Sequence, residues 1–189
     1  MTGGGVGVGD RAVRGSAVTL VVGGAPLASR AADLRAALTA AGWSVTVVRS
    51  AAAAAWASPD NADTDGDGTV GGGQERRPDV VVACPLTFNT ANKIAAGVMD
   101  TPAAGTLCDA LGAGVPIVAV PMANTRLWGH PVWTTTLTAL SGWGVVLLDP
   151  TTGQLGDPRP VDSGTGDAVA AAFDPRWILA AIGPAPSCG

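Results

Sequence analysis

The chain has 189 residues, 47% of them apolar and 14% charged, with 27 glycines, 14 prolines and a formal net charge of −4. That length suits one domain with a sizeable core, and the acid excess argues against a phosphate-backbone partner, so no nucleic acid is expected. No apolar run reaches the length of a membrane span and no charged region leads into an apolar signal core, so a cytoplasmic protein with no membrane partner is expected.

Residues 1–16 are glycine-rich and read as a flexible tail, whose GVGVG follows no strand and so is no nucleotide loop. Ala17–Val22 is the first predicted strand. In the following GGAPLASRAADLRAALTAAG, Leu27, Ala31, Leu34 and Leu38 recur at helical spacing, and Gly42 stands where the helix should stop. A glycine turn between strand and helix is a common form of phosphate cradle. Trp43–Arg49 reads as the second strand.

Residues 58–78 form an acidic, glycine-rich insertion. Asp63, Asp65, Asp67 and Gly68 have the spacing that starts a calcium loop, but Gln74 holds the twelfth position and no helix follows, so a mobile, solvated loop is expected. Asp79–Ala83 and Pro116–Val120 are the third and fourth strands, with Thr106–Leu111 part of a helix between them. Pro131–Ser141 reads as a helix and Gly144–Leu148 as the fifth strand. Residues 149–165 are rich in Gly, Pro and Asp and read as a loop; Ala168–Ala172 and Pro175–Ile182 read as helices, and 184–189 as a tail. Strands alternating with helices predict an α/β fold: a doubly wound, Rossmann-like parallel sheet of about five to six strands, one domain over 17–183. Cys84, Cys108 and Cys188 show no CxxC spacing and read as reduced thiols, Cys84 as a small buried residue near the site.

Two stretches stand out. CPLTFNTANKIAAGVMD, Cys84 to Asp100, follows the run DVVVA, and PMANTRLW, Pro121 to Trp128, follows PIVAV. Both read as loops leaving the carboxyl ends of buried parallel strands, where open α/β sheets hold ligands. Thr87, Asn89, Thr90, Asn124 and Thr125 are neutral and polar. With the amides that start the next helix, they suit a ligand with carbonyls, ring nitrogens and a phosphate. Helix capping accounts for one Asn or Thr per loop, not for the set.

At these residues the chain resembles the FMN-binding flavoproteins related to phosphopantothenoylcysteine decarboxylase and the lantibiotic peptidyl-cysteine decarboxylases. Their pattern P-[AL]-[ST]-A-N-T-x-x-K-I-A-x-G stands here as Pro85, Leu86, Thr87, Phe88, Asn89, Thr90, Lys93, Ile94, Ala95 and Gly97, with Asp100 following. Their P-A-M-N-T-x-M-W stands as Pro121, Met122, Ala123, Asn124, Thr125, Leu127 and Trp128, with alanine and methionine exchanged and leucine for the second methionine. The likeness covers Thr19 to about Leu155 and implies a flavoprotein-type sheet with FMN as cofactor. It implies FMN contacts at Gly24, Ala25 and Pro26, at Ser50 near the phosphate, and at Thr87, Phe88, Asn89, Thr90 and Ala123. Asn124 is implied to hold the substrate's carboxylate or thiolate, and Trp56 stands at a family aromatic.

Three further departures bear on the chemistry. Ala25 replaces a serine. The histidine of decarboxylating members, near Gly71 by counting back from Asp79, is absent, and the single histidine, His130, matches a W-x-H-P element that starts a helix. The clamp cysteine expected within 149–165 is also absent, although Gly153, Gln154 and Leu155 match the clamp's start. The resemblance therefore implies an FMN protein built like the cysteine decarboxylases, acting on a small thiol-carboxylate or a peptide ending in cysteine. The alternatives are a non-catalytic flavin-binding or regulatory subunit, or another flavin chemistry such as flavin prenylation. It further implies a homotrimer or homododecamer, or a hetero-oligomer, and the sparse charge suits surface buried between subunits.

Overall fold

The computed structural model describes residues 16–56 and 77–185. The calcium-type run at Asp63, Asp65 and Asp67, nearly all of the 58–78 insertion, Cys188 and most of both tails lie outside the described residues. Five parallel strands, β1 (Ala17–Val22), β2 (Ser44–Arg49), β3 (Val80–Leu86), β4 (Ile117–Pro121) and β5 (Val146–Leu147), are ordered β2-β1-β3-β4-β5. The direction of crossing reverses between β1 and β3, which opens a crevice at the carboxyl ends of the strands.

Alternation along each central strand feeds two cores. Val18, Leu20 and Val22 join Val80, Val82, Cys84, Val118 and Val120 on one face. Val21, Val81, Ala83, Ile117 and Ala119 point to the other. Because β3 and β4 are buried on both faces, they read in sequence as unbroken apolar runs. The first core is covered by a 3₁₀ turn (Pro26–Arg30), α1 (Ala31–Ala40), α6 (Gly166–Ala172) and α7 (Arg176–Ile182). Leu27, Ala31, Leu34 and Leu38 are all buried there, the stripe their spacing predicts. The helix ends at Gly42, whose φ of +89° lies in the left-handed region.

The second core is covered by α2 (Phe88–Ala95), α3 (Pro102–Gly112) and α5 (Pro131–Gly142). Trp133, Thr136 and Leu140 line the buried face of α5, and the Thr136 hydroxyl donates to Asn92 Oδ1 on α2 at 2.5 Å.

Two boundaries differ from the sequence reading. Cys84, Pro85 and Leu86 belong to β3 rather than to the loop after it. The Pro85 carbonyl accepts from Gly23 N at 3.0 Å and the Leu86 carbonyl from Met122 N at 2.9 Å, so pairing with the segments after β1 and β4 continues past a proline that has no N–H of its own. The Cys84–Pro85 peptide is cis. The last strand is shorter than 144–148. Gly144 (φ +88°) and Val145 close the end of α5, with Val145 N bonded to Leu140 O at 3.0 Å, and Leu148 makes an antiparallel bridge to Leu155.

Candidate functional site

The crevice is a cavity of about 780 Å³. One end is the turn after β1. A β-carbon on Gly24 would lie 2.5 Å from Ala52 Cβ and 2.6 Å from the Ala52 carbonyl carbon, and one on Gly23 would lie 2.6 Å from Pro85 O. Only glycines allow the β1 turn to lie this close to the segments after β2 and β3. Ser50 follows β2, its N–H bonded to Val22 O at 2.9 Å, and starts a second 3₁₀ turn, Ala51–Trp56. Its Oγ is buried without a hydrogen-bond partner. An orphaned buried hydroxyl is costly, and a ligand oxygen at this place would satisfy it.

The opposite wall is the N-terminal turn of α2. Thr87 Oγ1 accepts from Thr90 N at 3.3 Å and lies 3.0 Å from Thr90 Oγ1. Phe88 packs on Trp133 with ring centroids 5.1 Å apart, and the His130 ring meets it edge-on at 5.5 Å. Asn89 is exposed. Past β4, Asn124 caps α4 (Thr125–Trp128): its Oδ1 accepts from Leu127 N at 3.0 Å. The amide nitrogen Nδ2 donates to no described residue.

The ten residues that the resemblance assigns to cofactor and substrate line this one cavity, Gly24, Ala25, Pro26 and Ser50 at one end, Thr87 to Thr90 along the side, Ala123 and Asn124 beyond β4, whereas Thr125, also singled out in the sequence, does not. Trp56 lines it too, 37% exposed. Capping does take one residue per loop, Thr87 and Asn124, as the spacing suggested, which leaves Asn89 and Thr90 unexplained by it.

Three groups near the site in sequence are not in it. Cys84 is buried in the first core, and burial pushes its thiol well above the usual range. Cys108 sits on α3, its pKa also raised by burial. His130 is the N-cap of α5, with Nδ1 accepting from Val132 N at 3.2 Å.

One wall holds none of the ten residues, although its start falls within the 149–165 loop that was set against the family's clamp. Val161 to Gly164, with Gly166 and Asp167, closes the cavity from the side of α6. Val161 N donates to Ala123 O at 3.0 Å, Thr125 Oγ1 to Asp162 Oδ1 at 3.3 Å, and Gly166 lies against Pro26. Arg30 Nη1 donates to the carbonyls of Ala170 and Ala171 at 2.8 and 3.0 Å, tying the end of α6 to the 3₁₀ turn below it. The segment is reached through a buried carboxylate. Asp149 accepts from the N–H groups of Thr151, Thr152 and Arg159 at 2.8–2.9 Å and from the Thr152 hydroxyl at 3.0 Å. Among the described residues the cavity lining contains no Lys, Arg, His or Cys, and its two carboxylates are Asp162 and Asp167. No group of three or more His, Cys, Asp or Glu that could hold a metal ion occurs among the described residues, and none of their helices is long and apolar enough to cross a membrane.

Comparisons with known proteins agree with this architecture. A PPC decarboxylase mutant complexed with pantothenoylaminoethenethiol superposes with a TM-score of 0.65 at 20% identity, covering 89% of this chain and 97% of that one. The FMN-dependent cysteine decarboxylase SpaF does so with a TM-score of 0.61 at 24% identity, covering 88% and 97%. The Coenzyme A biosynthesis bifunctional protein CoaBC of Thermococcus kodakarensis is 34% identical over 79 residues, 42% of this chain, and the match spans only 19% of that relative's length. The sequence also matches the Flavoprotein family from residue 10 to residue 172, a wider span than the motifs alone suggest. That span takes in every strand of the sheet and all ten predicted residues at the cavity, and the chain belongs to the flavoprotein family.

Proposed function

We propose that this chain binds FMN in the cavity between the carboxyl ends of its strands and acts on a thiol-carboxylate substrate as a flavin-dependent carboxy-lyase of the cysteine-decarboxylase kind. The observation that carries this reading is the convergence on one cavity of a glycine-walled turn, an orphaned serine hydroxyl, the start of α2 and the free amide of Asn124. The lining fits the cofactor. Gly24, Ala25 and Pro26 with Ser50 would hold the phosphate, and Thr87 to Thr90 with Ala123 would border the ring. FMN, when bound, supplies the two-electron oxidation of the substrate's cysteine that makes loss of its carboxylate feasible.

This chain's residues then position and shield. Asn124 Nδ2 donates to the substrate carboxylate, and Phe88, Met122 and Leu127 present apolar surface that keeps water from it. The substrate is a small molecule of the 4′-phosphopantothenoylcysteine type or a peptide ending in cysteine. We place the protein in the cytoplasm as a homotrimer or homododecamer, or in a hetero-oligomer. Exposed Val98, Met99, Trp143 and Leu155 support burial of apolar surface between subunits.

The absence of His and Cys from the described lining favours a second reading, a non-catalytic flavin-binding or regulatory subunit. One experiment separates the two. Purified protein is examined for flavin absorbance, then incubated anaerobically with 4′-phosphopantothenoylcysteine and with a short peptide ending in cysteine. Loss of carbon dioxide from either supports the enzyme. Bound FMN with no turnover favours the subunit. A colourless protein that refuses added FMN defeats both.

A further inference from the structure

We infer that Phe88 is a fixed aromatic wall against the flavin ring, and that Asn92 and Thr136, which do not line the cavity, are the positioning residues that hold it there. The inference rests on the proposed reading for the flavin and adds what sets the wall that meets it. Phe88 lines the cavity, whereas Asn92, His130, Trp133 and Thr136 lie behind it. The family pattern has alanine at this position, so the ring is this chain's own.

The ring is held from α5. His130, Trp133 and Thr136 recur every third residue at the start of that helix and so share one face, the face packed on α2. Trp133 lies against the Phe88 ring with centroids 5.1 Å apart and planes 30° apart, and His130 meets it at 5.5 Å and 72°. Trp133 is itself fully buried and edge-on to Trp128 at 5.5 Å, so it cannot yield. Two hydrogen bonds fix the backbone that carries the ring. Asn92 Nδ2 donates to Phe88 O at 2.9 Å, and Asn92 Oδ1 accepts from the Thr136 hydroxyl at 2.5 Å. Thr136 is 3% exposed, so water does not compete for that bond, and losing it would strand the Asn92 oxygen. Packing α5 on α2 does not require this relay, because a valine at 136 would fill the same space. What the relay adds is a fixed place for the first turn of α2. A ring ordered in advance spends none of its stacking energy on being ordered by the ligand, and a planar ring system profits most from it.

The test uses FMN titrations followed by fluorescence quenching, the absorption and emission of the bound flavin, and Tm without flavin. The proteins are wild type, Phe88→Leu, Thr136→Val, Thr136→Ser and the Phe88→Leu/Thr136→Val double variant. Phe88→Leu keeps an apolar side chain but loses the ring, and should raise the Kd for FMN about two- to tenfold and alter the bound spectrum. Thr136→Val keeps the shape and drops the hydroxyl, and should raise Kd about threefold with a change of spectrum in the same sense. Thr136→Ser keeps the hydroxyl and drops a buried methyl, so its Tm should fall while Kd and spectrum stay as in wild type. In the double variant the change at 136 should add nothing, because the ring it positions is gone. The Thr136 pair carries the test should Phe88→Leu not fold. Unchanged Kd in Phe88→Leu, a weakened Kd with an unchanged spectrum, a Thr136→Ser protein that binds more weakly than Thr136→Val, or full additivity in the double variant would overturn the inference. A wild type that binds FMN as its variants do removes the inference alone, whereas a wild type that takes up no FMN removes the cofactor reading and the inference with it.

Discussion

Gly24→Ala puts the geometry of the cavity to a direct test. The new methyl would meet Ala52 Cβ at 2.5 Å, Ala52 C at 2.6 Å and Ala52 O at 2.7 Å. Contacts between such atoms settle at about 3.5–4.0 Å, so the 51–56 turn has to withdraw by about 1 Å. Two of the three atoms are backbone, and no side-chain rotation relieves them. Overpacking of this kind costs about 1–3 kcal/mol. In a chain of this size each kcal/mol lowers Tm by about 2–4 °C, so a fall of about 2–12 °C is expected. The same withdrawal carries Ser50 Oγ and the turn's first amides away from a bound phosphate. Weakening one or two hydrogen bonds, at about 1 kcal/mol each, raises the Kd for FMN about five- to thirtyfold. The assay is thermal unfolding without FMN, together with an FMN titration followed by fluorescence quenching. Gly105→Ala is the control: it lies within α3 with nothing within 4 Å of the added methyl, and alanine favours a helix by about 0.8–1 kcal/mol, so Tm should rise by a few degrees. A Gly24→Ala protein with wild-type Tm and FMN affinity would refute the close approach and the cradle built on it.

Ser50→Ala should weaken FMN binding about tenfold without lowering Tm, because the hydroxyl it removes is buried and unpaired; a lower Tm with unchanged FMN affinity would make that hydroxyl structural. Asp149→Ala strips the acceptor from three backbone N–H groups and should cost about 3 kcal/mol, read as a Tm lowered by about 6–12 °C, whereas a loss under about 2 °C would contradict the pinned loop. Burial raises the Cys84 pKa, so the folded protein holds less of its thiolate than a free cysteine does at any pH below the raised value. Iodoacetamide at about pH 8 should leave Cys84 unmodified in peptide mapping until denaturant is added, and rapid native labelling would place it at the surface.

The sheet was legible because its central strands are wet on neither face: β3 and β4 had to be apolar throughout, and valine-rich runs announce that. Cys84 to Leu86 escaped for a local reason. Pro85 cannot donate to a neighbour, so the strand pattern stops there in sequence, and only Gly23 and Met122, far off along the chain, supply the pairing that carries it on. The last strand was found but begins later than read, because glycine at 144 serves the helix end before it can serve the strand. At the cavity, the loops after β1 to β4 could be read since each follows its strand directly. The wall from Val161 to Asp167 was legible only as part of a clamp-like loop, with no residue assigned. It has no periodicity, and it reaches the cavity through the Asp149 turn, one N–H bond to Ala123 and the clamp of Arg30 on α6, none of which leaves a pattern in the sequence.

Asn124 caps α4, and its proposed role toward the substrate can be separated from that one. A helix N-cap needs only an acceptor, and Asn, Asp, Ser and Thr all provide one. A bound carboxylate needs a donor, and of Asn and Asp only Asn has one, on the nitrogen that the cap leaves unused. Asn124→Asp therefore keeps the bond from Leu127 N and places a negative charge at the start of α4, where the helix dipole tolerates it. Its Tm should stay within about 2 °C of wild type, since caps of these two kinds are nearly equivalent. FMN should still bind, because its proposed contacts lie on other residues. The thiol-carboxylate substrate should lose at least about tenfold in affinity as attraction becomes repulsion. An Asn124→Asp variant that binds the substrate as wild type does would reduce Asn124 to a cap.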